Sequence, residues 1–398
     1  MKILRLDIKG FRSLRDVSWE PEDLNVVIGP NGSGKSNLLR MLELISVSAR
    51  GGLGKYVQRW GGMEPLVWDG LADRIEYTVK TSPVERHRDP EKDSLTYEFV
   101  MERLGKSSSF SVGHELLANY YPVETGQRAE PFKFLERHRN DGIAFDERQH
   151  RLVAKSGSIL EEESLLSLSG GPFLENHFVQ VFRAELAGWS VYHDLHVNAD
   201  APIRQAMIAR TEKRVDPDGQ NLVSVLHTLY TGDRGFKDEV NSAMRAAFGE
   251  DFDELVFPPA ADQRIQLRVR WKSLQREQSA ADLSDGTLRF LFLLAVLASP
   301  SPAPLIAIDE PETGLHPSML PIVSEYAVDA SSRTQVILTT HSPQFLDAFR
   351  ETRPATTVAK WSDGETSLEK LEGESLDHWL KEYSLGSLFQ AGDLEGMA

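Results

Sequence analysis

A glycine-rich loop at residues 29–36 carries the clearest chemistry in this sequence. It reads GPNGSGKS and fits the pattern G-x-x-x-x-G-K-S of a phosphate-binding loop. In such a loop, backbone N–H groups at a helix N-terminus cradle phosphate oxygens, and glycines permit positive φ and close backbone approach. Lys35 adds a point charge on the β/γ oxygens, which makes it a candidate catalytic residue, and the Ser36 hydroxyl is a Mg²⁺ ligand. The predicted nucleotide-binding residues of this loop are Asn31, Gly32, Ser33, Gly34, Lys35, Ser36 and Asn37.

Two carboxylates and a histidine follow two later apolar runs. Asp309 and Glu310 come directly after the run 304–308, and His341 follows the run 336–340. Asp309 is placed to hold Mg²⁺, directly or through water, and Glu310 to polarise an attacking water. A histidine at a strand end is often a core or rim residue. The spacing of 31 residues from Glu310 instead favours a γ-phosphate sensor at His341.

A second anion site is predicted at the motif LSDGT, residues 283–287. Ser284 and Gly286 begin a helical pattern, and a helix N-terminus with a serine hydroxyl binds anions. Taken by itself, Ser284 is better explained as an N-cap with no ligand. The order along the chain of P-loop, Ser-Asp-Gly, Asp-Glu and His favours the binding role.

The sequence around these residues predicts the strands and helices that would position them. The apolar run 24–28 predicts a buried strand before the P-loop, and leucines at helical spacing over 36–45 predict a helix after it. Alternating polar and apolar residues predict antiparallel strands with one wet face at 75–80 and 95–100. The C-terminal third alternates helix and strand, as in a parallel sheet covered on both faces: helices at 286–298 and 317–330, strands at 305–308 and 336–340.

These elements predict an α/β P-loop NTPase with a mixed or antiparallel sheet, a parallel core sheet and a largely helical insertion. The predicted domains are an N-terminal ATPase lobe with the P-loop (1–125), a mostly helical insertion (126–255) and a C-terminal ATPase lobe (256–398).

Composition limits the class of protein. At 398 residues with 40% apolar and 26% charged residues, the chain has a soluble globular composition. There is no cysteine, so disulfides and thiolate metal sites are excluded, and the cytoplasm is the expected compartment. The longest apolar run, 290–298, is far shorter than the roughly 20 residues that span a bilayer, so no membrane contact is expected without a separate partner chain.

The net charge of −16 argues against coating nucleic acid by bulk attraction. Five basic residues nevertheless lie close together. They are either ordinary solvated strand and turn positions or a face that follows phosphates: Arg264, Arg268, Arg270, Lys272 and Arg276.

The order of motifs resembles that of the ABC ATPase superfamily, with P-loop, LSxG signature, Walker B with catalytic glutamate, D-loop and H-loop. The D-loop counterpart is 312–317. Within the superfamily, the chain resembles the RecF/SMC-like predicted ATPases of the AAA-named ATP-binding group, which are OLD-like. Three segments carry this resemblance: IKGFRSL at 8–14, LSDGTLRF at 283–290 and TTHSP at 339–343.

The resemblance implies the head architecture of ABC ATPases and a homodimer that forms around ATP and Mg²⁺. Lys35 and Ser36 of one subunit would face Ser284 and Gly286 of the other across each nucleotide. A Q-loop glutamine completes the Mg²⁺ shell in this class. Gln58 is the candidate, although a plain surface glutamine is equally consistent. The OLD-like branch also carries a C-terminal Toprim nuclease. The stretch after His341 is too short for one, so we expect any nuclease or effector activity in another protein.

The function expected from the resemblance is an ATP-driven conformational switch in DNA maintenance, such as DNA repair, or in anti-phage (antiviral) defence. It would act on DNA or on a separately encoded effector such as a nuclease. One alternative is the ATPase subunit of a membrane transporter. The separation of Lys35 from Ser284 by more than half of the chain disfavours it, since transporter subunits place these motifs much closer together. Another alternative is a slow nucleotide-gated scaffold that regulates a toxin or nuclease, and the motifs do not separate it from the switch.

Overall fold

The computed structural model describes residues 1–84, 94–105, 108–119, 131–146, 151–154, 160–170, 176–260, 263–349, 352–372 and 384–394. The strands are β1 (Ile3–Phe11), β2 (Leu14–Trp19), β3 (Leu24–Ile28), β4 (Arg74–Thr81), β5 (Leu95–Arg103), β6 (Phe110–Asn119), β7 (Phe132–His138), β8 (Asp141–Asp146), β9 (Arg151–Ala154), β10 (Ser190–Tyr192), β11 (Met207–Ile208), β12 (Phe252–Val256), β13 (Pro259–Ala260), β14 (Arg264–Ile265), β15 (Arg268–Trp271), β16 (Gln278–Ser279), β17 (Leu305–Asp309), β18 (Gln335–Thr340), β19 (Ala355–Ser362) and β20 (Glu365–Lys370).

The α-helices are α1 (Lys35–Arg50), α2 (Leu53–Arg59), α3 (His177–Ala187), α4 (Leu222–Gly232), α5 (Arg234–Phe248), α6 (Asp285–Leu297), α7 (Leu320–Ser331), α8 (Pro343–Leu346) and α9 (Leu385–Ala391). Short 3₁₀ turns lie at Trp68–Gly70, Ser167–Gly170, Pro202–Arg204, Ala280–Asp282 and Pro317–Met319. Among the described residues, no helix combines the length and the apolar character that crossing a membrane requires.

The chain divides into two compact units. The first comprises Met1–Glu22, Ile28–Trp189 and Thr357–Lys370, and the second comprises Asp23–Val27, Ser190–Thr356 and Leu371–Ala398. The predicted boundary at 125/126 lies outside the described residues, and the one at 255/256 falls within β12. The predicted division into three domains stays a prediction. Between 126 and 255 the described residues form both strands, β7 to β11 and the start of β12, and helices, α3 to α5.

The first unit is built on an antiparallel sheet with the strand order β2-β1-β4-β5-β6-β7-β8-β9. In β4 and β5, buried residues alternate with exposed or partly exposed ones, so the predicted antiparallel strands with one wet face are confirmed. The buried face carries stacked aromatic rings, with the centroids of Tyr77 and Phe99 5.2 Å apart. The Tyr77 hydroxyl is 2.7 Å from Ser48 Oγ, which ties α1 to the sheet. The helix that follows the P-loop is therefore fixed to the buried face of this sheet.

The second unit contains the strands β10, β17, β18 and β3 in that order. Neighbours β10 and β17, and β17 and β18, run parallel, and β3 joins through Asn25 Nδ2, which donates to Val336 O at 3.2 Å. Every residue of β3 and β18 is buried, as expected for parallel strands covered on both faces. The predicted parallel core sheet and the P-loop ATPase fold class are confirmed.

Among the basic residues at 264–276, Arg268 and Arg270 lie on β15 of the small sheet β12-β15-β16, and Lys272 follows the end of β15. Acidic neighbours pair with these three. Arg270 Nη2 is 2.8 Å from Glu277 Oε1, and Lys272 Nζ is 3.8 Å from Glu250 Oε2. Cations already paired with carboxylates attract phosphates weakly. These pairs favour the first alternative, ordinary solvated positions.

Candidate functional site

The P-loop of the first unit has a backbone that only glycine readily adopts. Gly34, directly before α1, has φ 101°, and a Cβ there would overlap Thr366 Oγ1. Gly32 has φ 85°, and a Cβ there would meet no atom of the described residues within 4 Å. The loop can therefore bring its backbone N–H groups close to a ligand.

Lys35 opens α1 and is buried, with 5% of its surface exposed. Its ammonium donates to Gly29 O at 2.7 Å and to Pro30 O at 3.0 Å, so it folds back over the loop. Two features suit a phosphate group here. Ser33 Oγ is buried without a hydrogen-bond partner among the described residues, and Gly34 has no side chain to cap the first N–H groups of α1.

Thr366 and Ser13 form hydrogen bonds with the P-loop and the start of α1, and the sequence motifs gave neither of them a role. Thr366 Oγ1 is 2.9 Å from Ser33 O and 2.8 Å from Ser13 Oγ. Asn37 Nδ2 donates to the same Ser13 Oγ at 2.8 Å. Thr366 lies on β20, far along the chain, and nothing in its local sequence marks it. Ser13 does belong to the segment IKGFRSL, which carried the family resemblance.

Gln58 lies in the last turn of α2 and is exposed. Its backbone carbonyl accepts from Gly61 N at 3.0 Å. Its role as a Mg²⁺ ligand stays a prediction.

In the second unit, Asp309, Glu310 and His341 meet at the carboxyl ends of β17 and β18. The two strands are parallel neighbours, with Asp309 opposite Thr339, so the residues that follow them share one edge of the sheet. His341 Nδ1 lies 2.8 Å from Glu310 Oε1. Asp309 accepts a hydrogen bond from Thr339 Oγ1, and its other carboxylate oxygen is 3.8 Å from His193 Nδ1.

Glu310 has a strained backbone, with φ 48°. A non-glycine residue in this left-handed region costs on the order of 1 kcal/mol and requires support from its surroundings. The support is local, because Glu310 N donates to Thr339 O at 3.1 Å. Such strain is common where a side chain must point in a fixed direction.

Glu312 was predicted only as the start of the D-loop counterpart, but the structure places it beside the catalytic candidates. It accepts from Thr340 Oγ1, and its Oε2 is buried without a hydrogen-bond partner among the described residues. Burial raises the pKa of the Glu312 carboxyl above its usual range. The sequence signal was the run Asp-Glu-Pro-Glu at 309–312, which has a second glutamate two residues after Glu310.

Ser284 is the N-cap of α6 and accepts from Thr287 N at 3.1 Å, so its capping role is real. The side chain is exposed, and its hydroxyl is also 2.8 Å from Thr287 Oγ1, where either oxygen can be the donor. When Thr287 donates, the Ser284 hydroxyl keeps its own hydrogen for a ligand. Gly286 follows in the first turn of α6. A Cβ there would lie 2.7 Å from Gly314 O, so glycine allows α6 to contact the D-loop turn. The predicted signature and D-loop segments are therefore in contact.

A cleft of about 330 Å³ opens beside Asp309 and Glu310, entirely within the second unit. Its other walls include His193 and Arg289, and Arg289 Nη2 is 3.0 Å from Asp194 Oδ1. The cleft can admit water to both carboxylates. Among the described residues, no three His, Cys, Asp or Glu side chains form a cluster suited to a metal ion.

The chain as a whole is similar to several known proteins. The model of the family described as "AAA domain, putative AbiEii toxin, Type IV TA system" matches residues 24–347. The OLD nuclease of Thermus scotoductus is 22% identical over 363 residues, which is 87% of this chain and 60% of that protein. The ATP/GTP phosphatase of Helicobacter pylori is 19% identical over 357 residues, 85% of each chain.

A solved structure of similar fold is an SMC head bound to the C-winged helix domain of ScpA. It aligns with a TM-score of 0.56 and 15% identity over 95% of this chain and 100% of that chain. At this identity the likeness concerns the fold alone. The predicted resemblance to AAA-named, RecF/SMC-like ATPases is confirmed by these relatives together.

Proposed function

The chain belongs to the family described as "AAA domain, putative AbiEii toxin, Type IV TA system", and from this we propose that it is a Mg²⁺-dependent ATPase that closes into a dimer around ATP. The observation that carries the proposal is the contact of Glu310 with His341 at the ends of β17 and β18. A carboxylate held in this way is suited to polarise a water molecule. The P-loop around Lys35 supplies the complementary phosphate-binding half.

In the proposed reaction, the backbone N–H groups of residues 31–35 and the Lys35 ammonium hold the β- and γ-phosphates. Ser36 and Asp309 are the proposed Mg²⁺ ligands, with Gln58 as a further candidate. A bound Mg²⁺ would neutralise phosphate charge. Glu310 orients the attacking water and accepts its proton, and His341 is the proposed γ-phosphate sensor beside it.

The position of the signature residues supports the proposed dimer. Ser284 caps α6 and Gly286 lies in its first turn, where the partial positive charge of the helix favours an anion. We place the γ-phosphate bound by one subunit against this turn of the other. Hydrolysis would then remove the group that joins the subunits and loosen the dimer.

The partners of the switch are inferred from relatives. One relative is named a nuclease, and this chain spans 60% of the length of that protein. The family description names a toxin and Type IV TA systems. We propose that the ATPase acts in DNA maintenance or anti-phage defence with DNA or a separately encoded effector. The family description equally favours a second candidate, a slow nucleotide-gated scaffold that regulates a toxin.

Measurement of phosphate release from ATP tests the enzymatic part. The wild-type protein should hydrolyse ATP only with Mg²⁺, and Glu310→Gln should bind ATP but lose about 100-fold or more of the rate. Equal rates for the two proteins would refute Glu310 as the general base. Slow turnover by the wild-type protein that rises when a toxin or nuclease is added would favour the scaffold.

A further inference from the structure

A buried arginine, Arg204, holds the backbone that leads into α6. It ends the turn Pro202–Arg204, and only 7% of its side chain is exposed. Arg204 Nη1 lies 2.7 Å from Leu283 O, 3.1 Å from Ala280 O and 3.4 Å from Ala281 O. Three carbonyl groups of one short segment thus converge on a single guanidinium nitrogen.

The other guanidinium nitrogens complete the arrangement. Arg204 Nε donates to Val197 O at 2.7 Å, and Nη2 donates to a carboxylate oxygen of Asp285. The planar fork of arginine suits acceptors spread around it, whereas a lysine ammonium is a compact point charge on a flexible stem. The side chain therefore fixes both the path of the segment 280–283 and the direction of Asp285.

Asp285 creates an electrostatic problem for a second anion site. It is the first residue of α6, between Ser284 and Gly286, and 62% of its side chain is exposed. A carboxylate here is favoured by the helix dipole, but it would repel a phosphate brought to the same helix turn. Pairing with Arg204 offsets this charge.

We propose that Arg204 is a positioning residue for the nucleotide-dependent dimer. It anchors the carbonyl side of the segment 280–283, so that Ser284 and the first turn of α6 face outward, and it neutralises Asp285 next to the arriving phosphate. This inference rests on the proposed function, because it assigns the partner subunit's nucleotide to that helix turn. It adds a residue outside the motifs to the site.

The test is made in the Glu310→Gln background with ATP and Mg²⁺, measuring the dimer dissociation constant by light scattering or sedimentation. Arg204→Lys keeps the charge but loses the fork, and Arg204→Met loses both. We expect each to weaken the dimer by about tenfold or more, since charge-assisted hydrogen bonds are lost. Binding of a fluorescent ATP analogue to the monomeric P-loop should be unchanged, which a general folding defect would not allow.

Charge rescue separates positioning from mere stability. Asp285→Asn should restore part of the dimer affinity lost in Arg204→Met, and in the parent background it should leave the dimer as tight or tighter. Asp282→Asn removes the same charge from an exposed neighbour in the same segment and should restore nothing. If Arg204→Met does not fold, Arg204→Lys and Asp285→Asn alone still give the answer.

Two results would overturn the inference. One is a dimer of Arg204→Lys or Arg204→Met as tight as that of Glu310→Gln alone. The other is a weaker dimer of Asp285→Asn in the parent background, because Asp285 would then attract the partner. A Glu310→Gln protein that stays monomeric with ATP contradicts the proposed function itself, and that outcome is distinct from both.

Discussion

His341 Nδ1 lies 2.8 Å from Glu310 Oε1, although 31 residues separate them in the chain. The contact exists because β17 and β18 are parallel neighbours and both residues follow the ends of these strands. Glu310 makes this contact from a backbone with φ 48°. The candidate catalytic residues Glu310 and His341 therefore meet at one edge of this sheet.

Lys35→Ala should abolish nucleotide binding, because it removes the ammonium group proposed to hold the β- and γ-phosphates. In the structure this ammonium donates to two carbonyl groups of the same loop. Isothermal titration or a fluorescent ATP analogue measures this affinity. Lys55→Ala, at an exposed position on α2, is the matched control and should bind normally. Normal affinity in Lys35→Ala would contradict the phosphate-loop assignment.

Thr366→Val should weaken ATP binding about fivefold, because the loop loses a hydrogen bond to Ser33 O worth about 1 kcal/mol. Thr366→Ser keeps the hydroxyl and should bind nearly as the wild type does. Both affinities come from the same titration. Equal affinities of the valine and serine variants would show that the hydroxyl does not position the loop.

Glu115→Gln should change the pH dependence of stability. Glu115 is fully buried and accepts from Leu165 N at 2.6 Å and Leu166 N at 2.8 Å, and burial raises the pKa of its carboxyl above the usual value. A raised pKa in the folded state favours the protonated form. The stability that Glu115 contributes is therefore present below the ordinary pKa of a glutamate and is lost as pH rises through the raised pKa.

The unfolding temperatures of the two proteins, measured from about pH 4 to about pH 8, test this sign. The wild type should lose stability relative to Glu115→Gln as the pH rises. Glu64→Gln, at an exposed position, should follow the wild type throughout. A wild type that gains on the glutamine variant over the same range would contradict the prediction.

The parts of the site that sequence predicts are those encoded in short contiguous patterns. The P-loop, Asp309 with Glu310, and the helix after Ser284 each depend on neighbouring residues and on strand or helix periodicity. Arg204 and Thr366 depend on contacts across the fold, to Leu283 and to Ser33, and neither belongs to a motif. The small sheet that pairs Arg270 with Glu277 likewise needed a structure, since charge spacing alone left two alternatives open.

The central claim is that ATP joins two copies of this chain, and the most direct measurement is the mass of Glu310→Gln in solution with and without ATP and Mg²⁺. Ser284→Arg in the same background places a bulky cation at the N-terminus of α6, and Ser332→Arg, an exposed serine at the end of α7, is its control. The account predicts dimers of Glu310→Gln and of the Ser332→Arg control only when ATP is present, and monomers that still bind ATP for Ser284→Arg. Glu310→Gln that remains monomeric with saturating ATP, or Ser284→Arg that dimerises as readily as its control, would contradict it.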